Sequence, residues 1–311
     1  MSFAVDPNTA ATSTDATGRF NLDYRTRPAF AGIQITLDVP TGEGSGTGRF
    51  DWRGAFDPET PDSVEFEIPT PKPCLSEESE CGTPLLPDLV PIVNWDQLSE
   101  VAQQRLQLPD EVPANARLFP ATSWFVEETE GRRLLRFATV AANLGTGPLD
   151  VIADADPGVN ANDETVATVQ RIWTDTWHFS DQTSGEFVSH PTHDHIHFDA
   201  FERYRLLDDK GEVVASSEKV SFCLRDSVLI SETRPAVTGP MLAMLDDCGD
   251  RQQVINPGFG DHYHALLDDQ WIDVSGIAAG TYTLEITVDP NDLLAESDES
   301  NNTGQTMVTI E

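Results

Sequence analysis

The chain has 311 residues, enough for one large domain or two smaller ones, and 39% of them are hydrophobic, which supports a packed core and excludes a disordered chain. Its 53 acidic residues against 19 basic ones give a formal charge of −34. A surface this acidic repels nucleic acid and anionic membranes, draws in cations, and fits adaptation to high salt, where screening damps self-repulsion.

From the N-terminus, residues 1–81 read as a small β-rich region ending in a linker. GIQITLDV (32–39) and SVEFEI (63–68) alternate as strands between turns, and PTPKPCLSEESECGTP (69–84) is rich in proline and acid. The domain boundary is expected near Gly82. NWDQLSEVAQQRLQL then opens with Asn94 and Gln97 in a capping-box pattern and carries apolar residues at 95, 98, 101, 102 and 106, so one amphipathic helix is expected. Most of the remaining chain is strand-like: LLRFATVAAN, DAFERYRLLD, KVSFCL, QWIDV and TYTLEITV are short segments bounded by Gly, Asp, Asn and Pro. In the last, Tyr282, Leu284, Ile286 and Val288 alternate with Thr and Glu, which predicts one buried and one wet face. The expected fold is mainly β, an antiparallel β-sandwich-like domain with few short helices.

Cys74, Cys81, Cys223 and Cys248 are even in number and show no CxxC spacing, which favours two disulfides over zinc and an extracellular setting. Proximity pairs Cys74 with Cys81 and Cys223 with Cys248, one of three connectivities open to four cysteines. No run of 18 apolar residues and no charged-then-apolar leader is present, so membrane insertion is not expected.

Four of the seven histidines fall in SHPTHDHIHF: His190, His193, His195 and His197. Neutral imidazole is the commonest ligand of copper and zinc, and ligand type alone does not separate the two. On a helix His195 would point away from His193 and His197; on a strand the three share a face, with the outer pair about 13 Å apart. A straight strand barely brings them to one ion, so a bend, a bulge or a loop entering a strand at Phe198 is expected. His178 reads as packing. His262 and His264 flank Tyr263 and are unremarkable by themselves.

Several segments in fixed order resemble the catalytic domain of the lysyl oxidases, copper-dependent amine oxidases. HPTHDHIHFDAFERYRLLD (190–208) is similar to that family's copper-binding stretch, KVSFCL to the segment carrying its cofactor lysine, and NPGFGDHYHALLDDQWIDV (256–274) to the one carrying its cofactor tyrosine. LPDLV (86–90), LLRFATVAANLGTGPL (134–149) and AGTYTLEITVDPNDLLAESDESNN (279–302) are similar as well. The resemblance covers roughly residues 82–311 and leaves 1–81 outside.

It implies that His193, His195 and His197 hold copper, with His190 beside them as a further or alternative ligand. It also implies that Lys219 and Tyr263 are the precursors of lysine tyrosylquinone. The implied reaction oxidises primary amines, as peptidyl lysine or small amines, to aldehydes with O₂, releasing hydrogen peroxide and ammonia. Asp261 is the favoured general base among the nearby carboxylates. Asp88, the Leu89 carbonyl, Glu296, Asp298, Asn301 and Asn302 match a calcium site in the family and are hard oxygen donors. The animal enzymes carry further cysteines, one of them where this chain has Thr192. With the usual partners missing, the resemblance implies that Cys223 and Cys248 pair with each other. Taken with the acidity, the chain reads as a prokaryotic, salt-adapted member of the family. The alternative is a non-catalytic metal-binding β-sandwich that never forms the quinone.

Overall fold

The computed structural model of the protein describes residues 72–74, 81–93, 124–154, 165–189, 196–217, 221–230 and 251–311, together with the backbone of two strands at 33–40 and 47–54. The expected helix at 94–108 and the expected strand at 63–68 lie outside the described residues.

In chain order the strands are β1 (Ile33–Pro40), β2 (Thr47–Gly54), β3 (Lys72–Pro73), β4 (Pro84–Leu85), β5 (Leu89–Pro91), β6 (Trp124–Thr129) and β7 (Arg132–Phe137). They continue as β8 (Thr139–Asn143), β9 (Leu149–Ala153), β10 (Thr165–Thr174), β11 (His178–Ser189), β12 (Ile196–Phe198), β13 (Glu202–Leu207) and β14 (Val213–Ser216). The last are β15 (Val228–Leu229), β16 (Gln252–Ile255), β17 (Phe259–Tyr263), β18 (Trp271–Asp273), β19 (Gly280–Val288) and β20 (Thr303–Ile310). Among the described residues there is no helix, so the mainly β expectation holds.

The sheets are antiparallel except for one pair. β1 and β2 form a hairpin; β12-β11-β10-β9-β16 form the largest sheet, with β3 added parallel to β11 and β4 antiparallel to β10. β14-β13-β19-β20, β15-β17-β8-β5 and β18-β7-β6 complete the set. One core cluster draws on all four of the larger sheets, and Phe137, Phe187, Phe198, Tyr204 and Phe222 are fully buried within it.

LLRFATVAAN, one apolar run in the sequence, is divided at Ala138 between two sheets. β7 pairs with β6 and β18, and β8 with β5 and β17. Every residue of β8 is buried because both of its faces are covered: Ala141 enters the main core, while Val140 and Ala142 join Ile92, Val228 and Ile230 on the other side. A strand buried on both faces reads as a continuous apolar run, so periodicity does not mark its ends.

Two expectations are corrected. Within KVSFCL the described residues Ser221 to Leu224 do not form a ladder strand; only a single bridge forms there, Phe222 to Phe198. In β19 the polar face is wet only at its start: Thr281 is exposed and Thr283 half-buried, whereas Glu285 and Thr287 are buried like Leu284 and Ile286. Glu285 accepts from Arg205 Nε at 2.9 Å and Gln305 Nε2 at 2.9 Å, and Thr287 meets Thr303 at 3.1 Å, so neighbouring strands supply its polar partners.

The Cys74–Cys81 disulfide is present and Cys223 is disulfide-bonded; Cys248, its expected partner, lies outside the described residues. The Cys74–Cys81 loop is fastened to the β10–β11 turn. Cys74 N donates to Phe179 O at 2.6 Å, Thr176 Oγ1 donates to Cys81 O at 2.7 Å, and Thr83 N donates to Asp175 Oδ1 at 2.8 Å.

Candidate active site

The histidine stretch enters the described structure at Ile196, and β12 runs from there to Phe198 along β11, with His197 opposite Val188. His197 is 4% exposed, and its Nδ1 lies 3.4 Å from Ser221 Oγ. The next residue binds the same segment through its backbone: Phe198 N donates to Phe222 O at 2.7 Å and Phe222 N to Phe198 O at 3.0 Å. Gln253 on β16 ties both, accepting from Leu224 N at 3.0 Å and donating to Ile196 O at 2.9 Å. The segment beginning two residues after Lys219 is thus bound directly to the end of the histidine stretch.

The same segment grips Tyr263. The Tyr263 hydroxyl accepts from Cys223 N at 2.8 Å and donates to Cys223 O at 2.7 Å, while its ring meets Phe222 edge-on at 4.9 Å. Burial, reinforced by the charges of Asp261 and Glu202, holds the phenol well above its usual range. Along β17, Phe259, Asp261 and Tyr263 share one face, and Gly260 and His262 the other, which carries Val140 and Ile230. Burial pushes His262 down to about 3, so it stays neutral; its ring lies 6.4 Å from that of His264, and burial lowers His264 too. His178 packs at the far end of β11, where its Nδ1 meets Thr176 Oγ1 at 3.1 Å.

Asp261 is 1% exposed. Its Oδ1 accepts from Ser227 Oγ at 2.8 Å, whereas its Oδ2 is buried with no hydrogen-bond partner among the described residues. Burial drives its carboxyl well above the usual range, against the hydrogen bond from Ser227 and the nearby Arg225 guanidinium, and Glu202 adds to the rise.

Sequence reasoning missed the group facing these residues. Glu202, 1% exposed on β13, accepts a short hydrogen bond from the Tyr204 hydroxyl, and Thr139 Oγ1 donates to the same Glu202 oxygen at 3.3 Å. Gln270 Nε2 reaches Thr139 Oγ1 at 3.5 Å. Glu202 and Tyr204 stand inside DAFERYRLLD, but an alternating strand does not say that its acid faces inward.

The six oxygen donors expected for calcium separate into five and one. Glu296 Oε2 accepts from Leu89 N at 2.5 Å and its Oε1 from Asn302 Nδ2 at 2.7 Å, and Asp88 Oδ1 accepts from Asn301 Nδ2 at 2.8 Å. The side-chain oxygens of Asn301 and Asn302 are buried without a hydrogen-bond partner among the described residues. Burial raises Glu296 to about 8. Buried amide oxygens lacking donors, next to carboxylates, are what a hard cation satisfies, so Asp88, Leu89, Glu296, Asn301 and Asn302 fit calcium. Asp298 stands apart: it is exposed and its Oδ1 accepts from Ser300 N and Oγ.

His190, His193, His195 and Lys219 lie outside the described residues, and among the described residues no cluster of three or more metal-ligating side chains occurs. What the structure joins is the end of the histidine stretch, the segment after Lys219, and Tyr263. Residues 168–311 match the family Lysyl oxidase. The relatives agree. Lysyl oxidase homolog 1 of Homo sapiens is 31% identical over 221 residues, 70% of this chain and 32% of that protein. Protein-lysine 6-oxidase of Sus scrofa is 29% identical over 221 residues, 70% of this chain and 74% of that protein. Lysyl oxidase homolog 3 of Homo sapiens is 31% identical over 173 residues, 55% of this chain and 18% of that protein. The chain therefore spans about a third of the homolog 1 protein, and more of the shorter oxidase. The lysyl oxidase match takes in His197, Ser221–Leu224, Tyr263 and the Glu296–Asn302 segment, and stops short of Asp88.

Proposed function

We propose that the protein is a copper-dependent amine oxidase that converts primary amines, as peptidyl lysine or small amines, to aldehydes with O₂, releasing hydrogen peroxide and ammonia. The observation that carries this reading is the segment Ser221–Cys223, which touches His197 through its side chain, Phe198 through its backbone, and the Tyr263 hydroxyl through Cys223. His193, His195 and His197 would hold copper, with His190 beside them, and Lys219 and Tyr263 would form the quinone. When present, copper and the quinone supply the redox capacity and the electrophilic carbonyl that side chains lack.

The chain's own residues do the rest. The Cys223 backbone fixes the Tyr263 hydroxyl from both sides, and Phe222 fixes the ring edge-on, so the tyrosine has one orientation. Asp261, on the same face of β17, has its carboxyl pushed well above the usual range by burial and is the group assigned to proton transfer. Asp88, the Leu89 carbonyl, Glu296, Asn301 and Asn302 would hold calcium, which would brace the β5 and C-terminal segments, with Asp298 turned outward. We also assign the division of the chain near Gly82 and an extracellular setting, the latter supported by the Cys74–Cys81 disulfide.

The test is amine-dependent peroxide release from protein loaded with copper in air. Wild type should release peroxide, and Lys219→Arg and Tyr263→Phe should not, while binding copper as before. A tryptic peptide joining Lys219 to Tyr263 should appear only in wild type. Separate peptides and no peroxide from copper-loaded wild type would sink the proposal in favour of a non-catalytic metal-binding module.

A further inference from the structure

The pairing between the end of the histidine stretch and the segment after Lys219 stops after one bridge, and a side chain takes over where it stops. Phe198 and Phe222 exchange both backbone hydrogen bonds, at 2.7 and 3.0 Å. In an antiparallel ladder the next such pair lies two residues on along each chain, which here is Ile196 with Leu224, and Leu224 N would donate to Ile196 O. Instead, Leu224 N donates to Gln253 Oε1 at 3.0 Å and Gln253 Nε2 donates to Ile196 O at 2.9 Å. The Gln253 carboxamide stands in the ladder as a peptide unit would, an acceptor to one chain and a donor to the other.

Gln253 is fully buried and comes from β16, at the opposite end of the largest sheet from β12. Its backbone is fixed by pairing with Val151 on β9, so the place of the inserted amide is set by the sheet and by neither chain it joins. A carboxamide supplies a donor and an acceptor without charge, whereas a carboxylate there would turn an oxygen toward the Ile196 carbonyl. Each contact is one residue from a group of the site. Ile196 precedes His197, a buried imidazole whose Nδ1 lies 3.4 Å from Ser221 Oγ, the kind of contact that orients a ligating histidine. Leu224 follows Cys223, whose N–H and C=O hold the Tyr263 hydroxyl.

We propose that Gln253 is a positioning residue, a wedge that sets the offset between the histidine stretch and the Tyr263 hydroxyl. It touches neither group and acts through Ile196 on one side and Leu224 on the other. Without it, Leu224 N and Ile196 O lose their bonds to the amide or are drawn together, and in both cases His197 shifts against Cys223. The catalytic consequence rests on the amine oxidase reading; the wedge and its effect on a metal held by the histidines do not.

The test uses the full chain with copper as the probe. Gln253→Met keeps the length of the side chain and removes both polar ends, and Leu284→Ala, a core change on β19, serves as a control that loses stability away from the wedge; urea unfolding of each measures that loss. In the absence of air, the Cu(II) electron paramagnetic resonance spectrum reads the histidine geometry. Once air is admitted, the rate at which the joined Lys219–Tyr263 peptide appears reads the offset from the tyrosine. Gln253→Met should alter the spectrum and slow the joining at least about tenfold, while Leu284→Ala keeps both as in wild type. Gln253→Glu decides the matter should Gln253→Met fail to fold. Its protonated carboxyl offers one donor and one acceptor, as the amide does, and its ionised form offers acceptors alone. Its spectrum should coincide with the wild-type spectrum at low pH and part from the wild-type spectrum at the same pH as pH rises. A wild-type spectrum and rate in Gln253→Met, equal changes in Leu284→Ala, or a Gln253→Glu spectrum that tracks wild type at every pH overturns the proposal. Copper-loaded wild type that never joins the two peptides counts against the amine oxidase reading alone, and the copper spectra still decide the role of Gln253. A wild type that binds no copper overturns both.

Discussion

Asp150 shows how one buried acid governs stability away from the site. Trp173 Nε1 donates to its Oδ2 at 2.9 Å and Gln252 Nε2 to its Oδ1 at 2.6 Å, yet burial outweighs both and raises the carboxyl from 3.8 to about 6. A folded-state value above the unfolded one means that the folded protein binds the proton more tightly. Its stabilising contribution is complete below about pH 4 and lost as pH rises through about 6. At about 1.4 kcal/mol per unit the full effect is roughly 3 kcal/mol. Wild type should therefore gain stability relative to Asp150→Asn by up to that amount as pH falls from 7 to 4, measured by urea unfolding at each pH; a constant difference would show that Asp150 does not titrate there. Single residues differ in how far the sequence announces them. Tyr263 and Asp261 are legible because they sit together within one segment of recognisable order. Glu202, Thr139 and Gln253 are not, because each does its work on a partner far away in the chain: Thr139 and Glu202 are 63 residues apart, and Gln253 and Ile196 are 57.

At the scale of elements, the turn between β8 and β9 buttresses the segment that carries Asp88. Asn143 Oδ1 accepts from Asp88 N at 3.2 Å and Gly145 N at 3.0 Å, and Asn143 Nδ2 donates to Gly147 O and Ile255 O. A side chain at Gly147 would put Cβ 2.1 Å from the Leu85 carbonyl oxygen, a backbone contact that cannot swing aside. Gly147→Ala should cost about 1–3 kcal/mol in urea unfolding and weaken calcium binding, because the relief lies in pushing residues 85–88 away from the turn. Unchanged stability with unchanged calcium affinity would place the buttress elsewhere. Alternation in TYTLEITV correctly marks the apolar face of β19, but alternation does not say what covers the opposite face, and here Arg205 and Gln305 cover Glu285. KVSFCL has the composition of a strand, and its backbone is used otherwise: Phe222 makes one bridge and Cys223 spends its N–H and C=O on the Tyr263 hydroxyl. That diversion, illegible in composition, is what brings the tyrosine to the segment after Lys219.

For the whole molecule the dominant quantity is the charge of −34. Like charges spread over one folded chain repel, and unfolding relieves that repulsion, so the folded state is favoured when screening is strong. The screening length falls from about 10 Å at 0.1 M salt to about 3 Å at 1 M, shorter than most separations between surface carboxylates. The melting temperature should therefore rise with NaCl over that range. Calcium, if held at the proposed site of Asp88, the Leu89 carbonyl, Glu296, Asn301 and Asn302, would act by a different route, by mass action on the folded state alone. Millimolar calcium should raise the melting temperature further even at 1 M NaCl, where general screening is nearly complete, and a chelator should reverse only that second increment. If calcium adds nothing once salt is high, its effect is screening and the oxygen cluster is not a site. If the melting temperature instead falls as NaCl rises, repulsion among the acidic residues does not limit stability, and the acidity of the chain needs another physical cause.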